Sequence, residues 1–568
     1  MSHQSTTSQF PKLIVITNVI FAVLLLHGCT GDNAPDKIFH GGPVLTVNGA
    51  DDVVQALAIR DGVITAVGTA QEIMVLKGPR TEMIDLQGKT LLPGFVAAHE
   101  HPSITAMFNG AINLSGFQYK TNAEVWAALR SEVAKVPKGQ WIYAGGLDAI
   151  LTPDLKFPHR KALDAIAPDN PLVLVSQTLH SFWANTQAFE AAGITRDTKD
   201  PGAGSYYERD ANGDFTGFVA ETRAAKPFMN ELKSPWKLYK RYVDVIDNLL
   251  ANGVTSVGSL GYNVPPILAR VAASHKLTPR IRQYFYLVED ELNYLPSDPD
   301  NGNDYFSVKG IKLWHDGSPY TGSMYTTTPY LASPLARTLG IQGGSHGSPM
   351  IAEDALVDKL RTFSAKGWQV AIHSQGDASH RAVIQAVQKA GVMPGIQPVV
   401  RLEHGVFMPQ DSVSKLATLG ISPSFHVHHI KYYGDALANS IVGLQAAQQT
   451  LPIRSAFAQG VKPTLHADSP MFPPKGFALM QTAMNRATGL GLLLNAPEAI
   501  TAQQALRAIT INGAYQLRLA EKTGSLEVGK WADLQVVDRN PYTVPVAELD
   551  RMQILAVYVG GKENFRAD

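Results

Sequence analysis

Between residues 38 and 92 the chain is written in short apolar runs separated by turn residues. Segments 56–59 and 63–67 flank Asp61-Gly62, a pairing that predicts a β-hairpin. The C-terminal end has the same character. Segments 533–537 and 554–559 read as strands, and Gly560-Gly561 follows as a turn. Two β-rich ends around a long middle predict one small β-sandwich assembled from residues 29–92 and 521–568.

The middle, residues 93–520, alternates short apolar strands with helical patterns, the sign of βα units and a parallel sheet. Eight strands are expected, at 90–99, 254–258, 281–287, 310–314, 369–373, 399–404, 422–426 and 463–467. Eight such units predict a (β/α)8 TIM barrel of the α/β class, with its chemistry at the C-terminal strand ends. The first two strands are about 150 residues apart, too far for a loop. Residues 103–252 are therefore expected to form an inserted subdomain with its own strand at 171–177. A second irregular stretch, 316–350, is rich in Gly, Ser, Thr and Pro and has the composition of a loop over an active site.

Composition narrows the function. Hydrophobic residues make up 45% of the 568, enough for a sizeable core. Lys+Arg and Asp+Glu both number 49, and this balance removes the electrostatic case for nucleic acid as a partner. One cysteine excludes an intramolecular disulfide framework and a cysteine-based zinc cluster. Seventeen histidines direct any search for metal ligands to imidazoles and carboxylates instead.

The single cysteine has a place of its own. An apolar run at 13–26 has signal-peptide dimensions and is short of the roughly 20 residues that span a bilayer. It ends in Leu26-His27-Gly28-Cys29, which resembles a bacterial lipoprotein signal. The expectation is a signal peptide at 1–28, lipid on Cys29, and an exported protein held to a membrane, periplasmic or at the cell surface.

Polar residues close the expected strands. His99 and His101 end the first, and strand alternation puts both imidazoles on one side. Lys312 ends the fourth; it is either a solvent-facing strand lysine or a buried amine that needs a partner. His373 closes the fifth, His404 the sixth, and Asp468 follows the eighth. One βα unit separates His373 from His404, and two separate His404 from Asp468. Imidazoles suit a borderline metal such as zinc, and a carboxylate beside it can take a proton from water.

With these motifs the chain resembles the amidohydrolase superfamily, in the family 3 branch that includes N-substituted formamide deformylases and exoenzyme regulators. The resemblance rests on Leu92-Pro93-Gly94 before His99-x-His101, and on Lys312 followed by Asp316-Gly317-Ser318. His373-x-x-Gly376-Asp377, Glu403-His404, Asp468-Ser469-Pro470 and the tail Gly524-Ser525-Leu526-Glu527-x-Gly529-Lys530-x-Ala532-Asp533-Leu534 complete it. It implies two divalent metal ions, zinc by default. His99, His101 and Asp468 would hold one and His373 and His404 the other, with Lys312, carboxylated by CO2, as the bridge. Ala98, His466-Ala467 and Trp314-His315 depart from the family pattern without removing a ligand.

His180 and Asn185 in the insertion, and His429 after the seventh strand, are expected to face a substrate. His426 and His428 are expected to be structural. The function implied is metal-dependent hydrolysis of a non-peptide C–N bond in a small amide, formamide or cyclic amide, with Asp468 taking the water's proton and returning it to the leaving nitrogen. The alternatives are a deaminase or an ester or lactone hydrolase on the same site, and a non-catalytic binding or regulatory lipoprotein.

Overall fold

The computed structural model describes residues 34–202, 205–261 and 281–567. The run at 13–26 and Cys29 lie outside them. Among the described residues no helix is long and apolar enough to cross a membrane.

Eight parallel strands form a nearly closed barrel: β1 (Phe95–Glu100), β2 (Val254–Leu260), β3 (Arg282–Leu287), β4 (Phe306–Trp314), β5 (Gln369–Ser374), β6 (Val400–His404), β7 (Ile421–Phe425) and β8 (Thr464–Leu465). Every residue of β2, β3, β5, β6 and β7 is buried, as expected where helices cover one face and the barrel interior fills the other. The β8 edge is short, and Glu100 clasps it to β1 by accepting from the backbone N–H groups of Ala467 and Ser469 at 3.3 and 2.6 Å.

The expected first strand, 90–99, is two strands. Thr90–Pro93 pairs antiparallel with Leu534–Val537 in the sandwich, and the barrel begins afresh at Phe95. Gly94 is the joint: a Cβ there would lie 2.2 Å from the Thr255 side chain, so the chain turns from one sheet into the other only without a side chain.

The sandwich contains a four-stranded and a six-stranded sheet. Phe39, Leu57 and Ile64 from the N-terminal part pack against Leu526, Leu534 and Tyr558 from the C-terminal part in one core. The hairpin is present, with Asp61 and Gly62 both at positive φ (52° and 76°).

Between β1 and β2 stands a six-stranded mixed sheet, running from Ile112–Asn113 to Phe215–Ala220. Its central strands are buried on both sides. Phe182, Phe215 and Val219 face one core, and Leu174 and Trp183 the other. The helix Pro235–Ala251 does not belong to that sheet. Its Tyr242, Val245 and Leu249 enter the barrel core, as the helix of a first βα unit should.

Candidate metal centre

Residues at the C-terminal ends of five barrel strands converge on Asp468. Its Oδ1 lies 3.2 Å from His99 Nε2 and 3.0 Å from His101 Nε2. Its Oδ2 lies 3.8 Å from His404 Nδ1 and 3.7 Å from His426 Nδ1. One potential ligand atom from each of His99, His101 and Asp468 falls within 4.8 Å of the others, and the same holds for His404, His426, His466 and Asp468. His373 lies against His404 at a tilt of 55°, ring centroids 4.3 Å apart. Lys312 is buried below, where its charge acts on His101, His373 and His404.

The ring orientations are fixed from behind. Glu403 Oε2 accepts from His99 Nδ1 at 2.6 Å and leaves Nε2 for the centre. Asp316 Oδ1 accepts from His373 Nδ1 at 3.2 Å, and both Asp316 oxygens share the single backbone N–H of Gln375, at 3.0 and 3.3 Å. Ser424 Oγ meets His466 Nδ1 at 2.7 Å, which turns Nε2 toward His404. His404 and Asp468 themselves sit at positive φ, 77° and 60°, a strained backbone that non-glycine residues adopt rarely and that clusters at functional sites.

These atoms suit a cation. His99 Nε2, His101 Nδ1, Lys312 Nζ and Asp468 Oδ1 are buried and make no hydrogen bond of good geometry. Burial holds His101, His373, His404 and His466 below the usual imidazole range and His426 at about 4, so these rings are neutral and carry lone pairs. Burial alone would raise the Asp468 carboxyl, but the His99 and His101 imidazoles hold it well below the usual carboxylate range. Burial also brings the Lys312 ammonium down to about 8. Buried lone pairs around a carboxylate are an unsatisfied donor set that a divalent ion completes.

The substrate-facing expectations fare unevenly. Asn185 is not available to a ligand. Fully buried, it accepts from the N–H groups of Leu172 and Ala188 at 2.9 Å and donates to the carbonyls of Ala167 and Asn170 at 3.0 and 2.8 Å. It caps the helix Thr186–Ala191, a role that an Asn just before a helical run could have signalled. His429 lies one layer behind the centre, with Nδ1 2.5 Å from the Tyr320 hydroxyl and Nε2 3.0 Å from His426 Nδ1. The residue beside Asp468 is His426, expected to be structural. His466, noted only as a departure from the family pattern, stands beside it. Neither placement is readable from spacing, because both depend on how β7 and β8 end.

His180 does face open space. It lines a cavity of about 710 Å3 between the inserted sheet and the 316–350 loop, together with Trp183, Phe218, Glu221, Tyr320 and Arg337.

Residues 82–565 match the amidohydrolase family. The chain is 28% identical over 546 residues, 93% of its own length and 97% of the relative's, to an N-substituted formamide deformylase of Arthrobacter pascens. It is 25% identical to a 5-methylthioadenosine/S-adenosylhomocysteine deaminase of Teredinibacter turnerae, over 52% of this chain and 62% of that one. A metal-dependent hydrolase of uncharacterized function from Pyrococcus horikoshii shares its fold, with TM-score 0.71 and 24% identity over 90% of this chain and 99% of that one. With the family match running from the sandwich through the barrel and back into the sandwich, this chain belongs to the amidohydrolase family and is a metal-dependent hydrolase of C–N bonds.

Proposed function

We propose that the enzyme hydrolyses a non-peptide C–N bond in a small amide, formamide or cyclic amide, using two divalent ions. The observation that carries this reading is the convergence of His99, His101 and Asp468 beside His373 and His404, above a buried Lys312 amine with no hydrogen-bond partner. When bound, the ions supply a Lewis acid for the carbonyl and lower the pKa of water toward neutrality. His99, His101 and Asp468 hold one ion and His373 and His404 the other. Lys312 would serve as the bridge once its neutral amine had added CO2 and lost a proton to give a carbamate. Asp468 accepts the proton of the attacking water, and the neighbouring cavity receives the substrate's nitrogen-side group. Likeness to the formamide deformylase along nearly the whole chain supports the amide class.

Metal analysis of the intact protein should give about two divalent ions per chain. A screen of N-formyl, N-acyl and cyclic amides with zinc-loaded protein should find turnover. A stoichiometry near one, unchanged in Lys312→Ala, would remove the bridge. A second reading, deamination, is favoured by the deaminase relative. Ammonia release from an aminopurine, with every amide inert, would select it. The same proposal places the enzyme outside the cytoplasm on a lipid at Cys29, supported by the Leu26-His27-Gly28-Cys29 pattern. Cys29→Ser should abolish its membrane fractionation.

A further inference from the structure

We propose that His180 is a catalytic residue that protonates the leaving nitrogen, and that Glu221 is the positioning residue that keeps it able to do so. The proposal rests on the amide-hydrolase reading above and reassigns one half of the proton traffic expected of Asp468.

His180 Nδ1 lies 2.8 Å from Glu221 Oε2, and both side chains line the cavity. The pair is built with strain on both sides. Leu179 and Glu221 have φ of 61° and 66°, a region an aliphatic residue such as leucine seldom enters without a reason. Glu221 N–H also donates to the His180 carbonyl at 2.8 Å, so the two residues are locked together by backbone and side chain. The segment is then stapled to the metal centre. Gln177 Nε2 donates to the carbonyls of Pro470 and Met471 at 3.1 and 2.6 Å, immediately beyond Asp468. Asp468 has both oxygens turned to imidazoles at the base of the site, whereas His180 stands at the cavity wall where the nitrogen-side group would lie.

With Nδ1 held by the carboxylate, Nε2–H is the proton that can be given away. As the C–N bond breaks, its electron pair stays on nitrogen, and nitrogen takes the proton from His180 Nε2. The acyl carbon keeps the water oxygen, the proton accepted by Asp468 passes to solvent, and His180 recovers one from solvent through the cavity. The charges that act on His180 are those of Glu221 and Asp468, and the neighbouring His373 ring is neutral. Burial works against its protonated form, but Glu221 and Asp468 overrule it and raise the pKa.

Two amides of one acyl group separate this role from binding, one with an alkylamine and one with 4-nitroaniline as leaving group. An alkylamine cannot depart unprotonated, whereas nitroanilide can. His180→Gln should lose roughly 10²–10⁴-fold in kcat on the alkyl amide and less than about tenfold on the nitroanilide. Equal losses on both would overturn the proposal. Glu221→Gln should move the high-pH limb of the kcat profile to lower pH, because the required proton then leaves earlier; an unmoved limb would overturn the positioning role. The His180 ring titration, followed by NMR in the full chain with and without Glu221→Gln, needs no substrate. It should fall in the variant, and an unchanged titration refutes the pair. Absence of turnover on every amide by the unaltered enzyme would instead sink the amide-hydrolase reading, and the NMR result would still decide the dyad.

Discussion

The two ends of the barrel treat buried charge in opposite ways. At the N-terminal end, Arg282 opens β3 and meets Asp533 of the C-terminal tail through two contacts, Nε to Oδ2 at 2.7 Å and Nη2 to Oδ1 at 3.0 Å. The rest of Asp533 is satisfied by the Gly560 N–H at 2.8 Å and the Thr523 hydroxyl at 3.2 Å. Trp531 covers the guanidinium, 3.7 Å from its ring centroid. At the C-terminal end, Lys312 Nζ, His99 Nε2 and Asp468 Oδ1 are enclosed too, but none makes a hydrogen bond of good geometry, and the Lys312 ammonium has the Trp314 ring 5.3 Å away instead. A closed network serves to join the sandwich to the barrel floor. An open one is poised for something outside the chain. The contrast matches the division in these barrels, with stability below and chemistry above, and it explains why the tail motif is part of the family pattern without touching the centre.

The sharpest way to break the contrast is at Asp468. Asp468→Asn keeps the shape and a metal-facing oxygen but does not accept a proton as a carboxylate does. Turnover on a confirmed amide should fall about 10²–10⁴-fold while metal content and thermal unfolding stay near those of the parent. A variant with near-normal turnover would show that the proton acceptor lies elsewhere. The second test attacks the floor. Asp533→Ala leaves the Arg282 guanidinium buried and unpaired, and the cost should be about 3–5 kcal/mol of stability. The melting temperature should drop clearly, while metal bound per folded chain is unchanged. A lost metal with an intact melting temperature would mean that the two ends are not separable.

How much of this contrast the sequence discloses depends on the physics involved. Strands such as β2 and β5 are legible because burial on both faces makes them continuous apolar runs, and each ends where a polar side chain emerges. The β4 strand begins at Phe306, four residues before the expected 310, because Lys309 interrupts the apolar run yet stays in the strand with its ammonium 5.2 Å above the Tyr284 ring. The hinge at Gly94 is hidden, since the close approach of Thr255 comes from a residue far along the chain. Of the cluster at the strand ends, His99, His101, Lys312, His373, His404 and Asp468 are legible, whereas His426 and His466 are not. The supporting roles are not: Asp316 and Glu403 stand in the family motifs without a visible task, and Ser424 stands in none, until the fold brings them behind a ring nitrogen.

The smallest expected effect on stability, and the most telling, is at Lys312. A buried amine without a hydrogen-bond partner is a burden on the folded state, because its desolvation is not returned by any hydrogen bond. Removing a hydrogen-bonded buried charge destabilises, as at Asp533, but removing one that makes no hydrogen bond should not. Lys312→Met keeps the length of the side chain and fills the same space with apolar atoms. In metal-free protein the variant should therefore unfold at the same temperature as the parent or slightly above it, a gain on the order of 1 kcal/mol. With metal supplied, the order should reverse. The parent gains binding energy from two ions and the variant from fewer, so the parent's melting temperature should rise more with added zinc. Differential scanning calorimetry with and without chelator reads both comparisons on the same two proteins. A metal-free Lys312→Met protein that melts well below the parent would show that this lysine is already satisfied in the fold, and that the open rim is not what separates the two ends of the barrel.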